Sequence, residues 1–243
     1  SGTIPYADYL PKDLQMLYVG EWHGVPRIAG EVESLLAQLP AIYPGRRIYL
    51  ATEFLPVPRD ITDWKQRLIT RPDELEKISA YNTPVFAAAL KAGIPVLGLS
   101  DQNSMYAFLW KELDRFPTDQ MYWDFAISFE GVRQRNLRWA EILRQVRQED
   151  PQALIVVYAG NGHVSYYWDF NLDSMLGGKS FVLSLLRPDY PKIDNPFADY
   201  FQIPPDSHSL FEASPEAKLV TGWKKDSPLN KLTGADMAVF LHW

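Results

Sequence analysis

The run Leu154-Ile155-Val156-Val157-Tyr158-Ala159 has no polar face. A β-strand sends successive side chains to opposite sides of its sheet, so a strand that is apolar throughout must be covered on both sides. Strand-sized runs recur at residues 14–20, 47–53, 94–100, 179–186 and 236–242. Helical patterns fall between them at 28–39, 59–69, 72–80, 83–92 and, longest, 119–148. This alternation predicts a single α/β domain over 1–243, with a mainly parallel β-sheet and helices on both faces. No repeat or linker interrupts it. The proline-rich stretch 188–214 is expected to be an irregular excursion.

Composition narrows the function classes. Hydrophobic residues make up 47% and charged residues 22%, as in ordinary globular chains. The net charge is −6 with no long basic run, which argues against nucleic acid as a partner. No stretch approaches the roughly 20 apolar residues of a transmembrane segment. The absence of cysteine excludes disulfides, thiol catalysis, iron–sulfur clusters and cysteine-ligated zinc. Ser1-Gly2 reads as the remnant of a cleaved tag, with any native N-terminal signal lying before it.

The expected 119–148 helix carries apolar positions at spacings of three and four, and Asn136 falls in the middle of that stripe. A polar residue there needs a buried partner. Arg135 and Arg133 flank the stripe, about 100° from one position to the next.

Chemistry concentrates where strands end. The first runs into Gly20-Glu21-Trp22-His23-Gly24 and the second into Thr52-Glu53-Phe54. The third reaches Ser100-Asp101-Gln102-Asn103, and the fourth Gly160-Asn161-Gly162-His163-Val164. In open α/β sheets the carboxyl ends of the strands form the ligand crevice. Glu21, His23, Glu53, Asp101 and His163 are thus delivered to one edge, including two of the chain's four histidines. Each also has a plainer reading. Glu21 and His23 suit a surface loop, Glu53 a turn cap, Asp101 the cap of a helix starting near Ser104, and Arg135 a solvated helix edge. His208 and His242 lack chemical neighbours in sequence and read as structural.

Two chemistries fit this set. A carboxylate–histidine pair could activate water while Arg135 stabilises negative charge. Alternatively His23, Glu53 and His163 could ligate a divalent metal. The chain has no phosphate loop, no Gly-x-Ser-x-Gly elbow and no dinucleotide fingerprint, which weighs against kinases, serine esterases and dehydrogenases.

These motifs resemble the superfamily of ChaN-like haem-uptake proteins, erythromycin esterases and Tiki-type proteases. Gly20-Glu21-Trp22-His23-Gly24 is similar to its opening Gly-Glu-x-His, and Thr52-Glu53-Phe54 to its second-strand glutamate. Arg135-Asn136-Leu137-Arg138-Trp139-Ala140 resembles its Arg-Asp-x-x-Met-Ala helix, with Asn136 for Asp and Trp139 for Met. Ala159-Gly160-Asn161-Gly162-His163-Val164 resembles its closing Gly-x-Gly-His-Val, and residues 235–241 its last strand.

The chain also resembles type III secreted effectors built on that fold. The resemblance implies a bacterial exported protein delivered to a host, with an esterase- or protease-like hydrolase site. Its target would be a host protein or a small molecule. The alternatives are a periplasmic or membrane-anchored ChaN-like protein that binds haem, and a binding protein with a relic site. The expected roles are His23 as general base, oriented by Glu21 or Glu53, and His163 as substrate holder or leaving-group acid. Arg135 would bind a carboxylate or oxyanion. Asn136, Asn161 and Asp101 would contact substrate.

Overall fold

A computed structural model of the chain describes residues 3–57, 61–78, 82–186, 218–222 and 234–241. The 188–214 stretch, His208 and His242 lie outside these. The first half comprises β1 (Met16–Glu21), α1 (Pro26–Ile42), β2 (Ile48–Pro56), β3 (Leu68–Ile69), α2 (Pro72–Leu75), α3 (Thr83–Lys91), β4 (Val96–Ser100) and α4 (Gln102–Leu113). There follow α5 (Asp119–Ala126), α6 (Phe129–Glu149), β5 (Leu154–Gly160), α7 (Asn161–Val164), α8 (Leu172–Leu176), β6 (Ser180–Leu186), β7 (Lys218–Gly222) and β8 (Met237–Leu241).

The described strands form one sheet in the order β3-β4-β2-β5-β1-β6-β8-β7. Its six inner strands run parallel, and β3 and β7 are antiparallel edges. This is the mainly parallel α/β architecture that the apolar strands imply. Alternation divides the core into two layers. Leu17, Val19, Leu50 and Val156 face Ile28 and Leu35 of α1 and Phe86 of α3. Met16, Tyr18, Ile155 and Val157 face Trp139, Leu143 and Val146 of α6.

Three helical expectations need correction. The 119–148 helix is two helices, broken at Ile127-Ser128. The Ser128 hydroxyl accepts from Gly131 N–H at 3.1 Å and caps a new start. A Cβ on Gly131 would stand 1.8 Å from the Phe125 carbonyl oxygen, so the two helices meet too closely for a side chain. The 59–69 helix contracts to a 3-10 turn, Trp64–Arg67. There the buried Arg67 donates to the Ile61 carbonyl from Nε (3.0 Å) and Nη2 (2.6 Å), and the following residues join the sheet as β3. The 72–80 helix is only the four residues of α2.

The second strand is irregular where it matters. Thr52 pairs with Gly98, but Pro56 pairs with Ser100, so β2 spends more residues than β4 over the same rise. Such a bulge bends the strand and re-aims its side chains. Glu53 sits in it, and the Ser100 hydroxyl donates to the Glu53 carbonyl. A Cβ on Gly98 would come within 2.7 Å of Val57 Cγ2 and 3.1 Å of the Leu55 carbonyl oxygen. No helix among the described residues is long and apolar enough to cross a membrane.

Candidate active site

Register brings the ends of β1 and β5 together, since Glu21 pairs with Gly160. With the bulge of β2 they open on a cavity of about 530 Å³ whose lining includes Glu21, His23, Glu53, Arg135, Asn161 and His163.

Glu21 is 3% exposed and anchored from both sides. One oxygen accepts from His23 Nδ1 at 2.9 Å, and the other accepts from the Tyr158 hydroxyl, which itself accepts from Asn82 Nδ2 at 2.9 Å. With Nδ1 spent on Glu21, His23 presents Nε2 to the cavity, 2.9 Å from where a Cβ on Gly160 would stand. Phe54 packs edge-on against the same ring at 5.6 Å. Burial on the ring's inner side lowers the imidazole pKa. The Glu21 hydrogen bond and the charges of Glu53 and Glu21 outweigh it, so His23 titrates above its ordinary value. The side chain is 61% exposed, so solvent screens much of that effect.

Glu53 forms the second centre. Its Oε1 accepts from Gly160 N–H at 2.5 Å and its Oε2 from Arg135 Nη1 at 3.0 Å. His163 Nε2 stands 3.5 Å from the same Oε2. Burial alone would raise the Glu53 carboxyl. The opposing cations, His163 when protonated, then Arg135 and His23, hold it well below the usual carboxylate range. At neutral pH His163 is uncharged, so Arg135 and the Gly160 N–H sustain that effect.

The neutrality of His163 has a visible cause. Burial first, then Arg135, push its pKa down to about 4 against the pull of Glu53. Its ring stacks on Trp139 with centroids 4.2 Å apart. Asn136, wholly buried, donates from Nδ2 to the carbonyls of His163 (3.1 Å) and Phe170 (2.9 Å). The opposite amide orientation would aim an acceptor at two carbonyl oxygens. Oδ1 therefore faces His163 Nδ1 at 2.5 Å, Nδ1 carries the proton, and Nε2 is an acceptor. The polar interruption of the stripe thus has its buried partner.

Two sequence-derived contacts fall elsewhere. Asp101 is not among the cavity-lining residues; it lies 3.8 Å from both Arg67 Nη2 and Arg138 Nε. Asn161 reaches the wall, but its Oδ1 accepts from Ser184 Oγ at 2.7 Å. Asn136 works from behind His163, outside the lining.

Arg135 also differs from expectation. Its Nη1 donates to Glu53 and its Nη2 to the Ala126 carbonyl at 2.8 Å, so the carboxylate it binds in this structure is the protein's own and two of its five N–H donors are used. Nor does the donor set suit a metal. Among the described residues no three His, Asp or Glu side chains converge on an ion, and the Glu53 oxygen nearest His163 already faces a guanidinium.

Sequence reading missed Tyr158, whose place one turn of alternation before Gly160 could have marked it. It also missed the apolar mouth: Trp22, Trp123, Ile127, Val132 and Trp168. Trp123 and Ile127 stand on the outer face of α5 and its end, where an apolar residue serves no core.

No family model and no curated protein matches the chain. Among solved structures, the type III effector HopBA1 is similar, at 18% identity over 72% of this chain and 78% of that one, with a TM-score of 0.45. That likeness carries no argument about activity.

Proposed function

We propose that this cavity is a hydrolytic active site in which His23 activates water. The observation that carries the reading is the Glu21–His23 pair, with Nδ1 on the carboxylate and Nε2 turned to the cavity. In that arrangement His23 Nε2 takes a proton from water as the oxygen attacks an ester or amide carbonyl. Glu21 stabilises the imidazolium, and Tyr158 holds Glu21 in line. His23 then returns the proton to the leaving oxygen or nitrogen as its bond to carbon breaks. Glu53 Oε2 and His163 Nε2 are two fixed acceptors that orient the water or a substrate N–H. Arg135 remains paired and contributes a positive field beside the developing oxyanion.

The motif resemblance adds that such a hydrolase is a bacterial effector delivered to a host. Expression of the chain in host cells tests this, because a relic-site binding protein would keep its effect in His23→Ala and His163→Ala. Haem binding through His23 Nε2, which faces the cavity, is the alternative, and the hydrolytic reading predicts against it. Hemin titration should give no stoichiometric Soret shift.

Turnover of p-nitrophenyl esters and peptidyl anilides is the direct test. kcat/KM should rise with pH through a midpoint above 6.5, because the base works deprotonated and its pKa is raised. Glu21→Gln should move that midpoint down, and His23→Ala should cost about 10²–10⁴-fold. Turnover unchanged in His23→Ala, or none by the wild type on either series, would reject the reading.

A further inference from the structure

The six exposed large apolar side chains among the described residues all fall between Trp110 and Leu137. Single exposed apolar residues are ordinary, but a set joined through ring contacts points to binding. Four of them form a ridge: Trp110 (54% exposed), Phe116 (63%), Trp123 (57%) and Ile127 (61%).

The ridge is held stiffly from below. Trp110 meets Phe116 edge-on at 5.4 Å, and Phe116 stacks on Tyr106 at 5.8 Å. Tyr106 stacks on Tyr122 at 4.4 Å, and Tyr122 meets Trp123 at 5.2 Å. An apolar surface ordered in advance loses little conformational entropy when a ligand covers it. Trp123 and Ile127 also belong to the cavity wall, so the ridge runs into the mouth of the site.

The charges at the bottom of the cavity say what kind of head group enters. Glu21 is engaged by His23 and Tyr158, and Glu53 by Arg135 and the Gly160 N–H. The second arm of Arg135 is on the Ala126 carbonyl. Two carboxylates against one guanidinium and His23, with His163 uncharged, leave no excess positive charge in the lining to balance an anionic group, and the chain's net charge of −6 repels anionic surfaces.

We propose that the ligand of this site is an uncharged amphiphile, an ester or amide with an extended alkyl or acyl chain, and that the chain lies along the Trp110–Trp123 ridge. This rests on the cavity being the substrate site, but binding reads it without turnover.

Calorimetry with hexyl, octyl and decyl glucosides below their micellar concentrations tests it. Affinity should rise about fourfold per added methylene. Phe116→Ser should flatten that rise; Phe116 is mostly exposed, so the fold is not at stake. Octyl sulfate should bind at least tenfold more weakly than octyl glucoside. Equal or tighter binding of the sulfate, or a chain-length dependence unchanged in Phe116→Ser and Trp123→Ala, would overturn the proposal. So would self-association abolished by Phe116→Ser, or sedimentation with phosphatidylcholine vesicles lost in that variant, since a second copy or a bilayer would then be the occupant. Chain-length-dependent binding without any ester or anilide turnover would sink the hydrolytic reading alone. Turnover of short esters without that binding would sink the ridge alone.

Discussion

At Gly160 the missing side chain provides room rather than backbone freedom. Its φ of −57° and ψ of 143° suit any residue, yet a Cβ would stand 2.9 Å from His23 Nε2 and 3.1 Å from Glu53 Oε1. On the proposed mechanism Gly160→Ala should lower kcat/KM by about 10²-fold through misplacement of His23. Stability should stay within about 1 kcal/mol, because His23 is exposed enough to turn aside; activity assays and thermal melts separate the two. Asn136 makes the opposite case, a side chain whose donors matter more than its size. Asn136→Asp keeps an acceptor at His163 Nδ1 but replaces the donor that serves the His163 and Phe170 carbonyls. It should cost about 2 kcal/mol when ionised and raise the His163 pKa from about 4, as an NMR titration would read. The residue that resembled a departure from a motif is matched to its neighbours here.

Among the elements, the bulge of β2 does most to shape the site, and it depends on Gly98. Gly98→Ala forces a methyl against Val57 Cγ2 and the Leu55 carbonyl, and should destabilise by about 1–3 kcal/mol in denaturant unfolding. It should also weaken activity by shifting Glu53. Nothing in Thr52-Glu53-Phe54 announces the bulge, because it arises from unequal spacing on two strands far apart in sequence. The inner strands were legible because full burial leaves a continuous apolar run, as in β5. The edge strands β3 and β7 were not, since two to five residues paired on one side carry little pattern. The break between α5 and α6 was present as Ser128 three residues before Gly131. The apolar spacing simply continues across it, because both helices turn an apolar face to the protein. Glu21, His23, Glu53 and His163 could be read from their places after strands, whereas Asp101 occupies the same kind of place and pairs with Arg67 instead.

For the molecule as a whole, the buried histidine ties stability to pH. His163 titrates near 4 when folded and near 6.5 when free, so the unfolded chain takes up the proton first as pH falls. Stability should decline between pH 6.5 and 4, by up to about 1.4 kcal/mol per unit. The depressed Glu53 carboxyl acts in the same direction. Its contribution is present above the ordinary carboxylate value and is lost as pH falls through its lower folded value. Melting temperature against pH should show the decline, and His163→Gln should make it shallower. The strand order also governs assembly. β5 lies between β1 and β2 and pairs with both, Met16 with Ile155 and Ile48 with Leu154. During synthesis the first strand must therefore wait, apolar and without a neighbour, until the chain beyond residue 154 arrives. Closing such a long loop is slow and leaves an aggregation-prone edge meanwhile. A nascent chain halted before that point would leave Glu21 on an unpaired strand, apart from Glu53 on the β2–β4 pair, so the two walls of the cavity meet only in that late event.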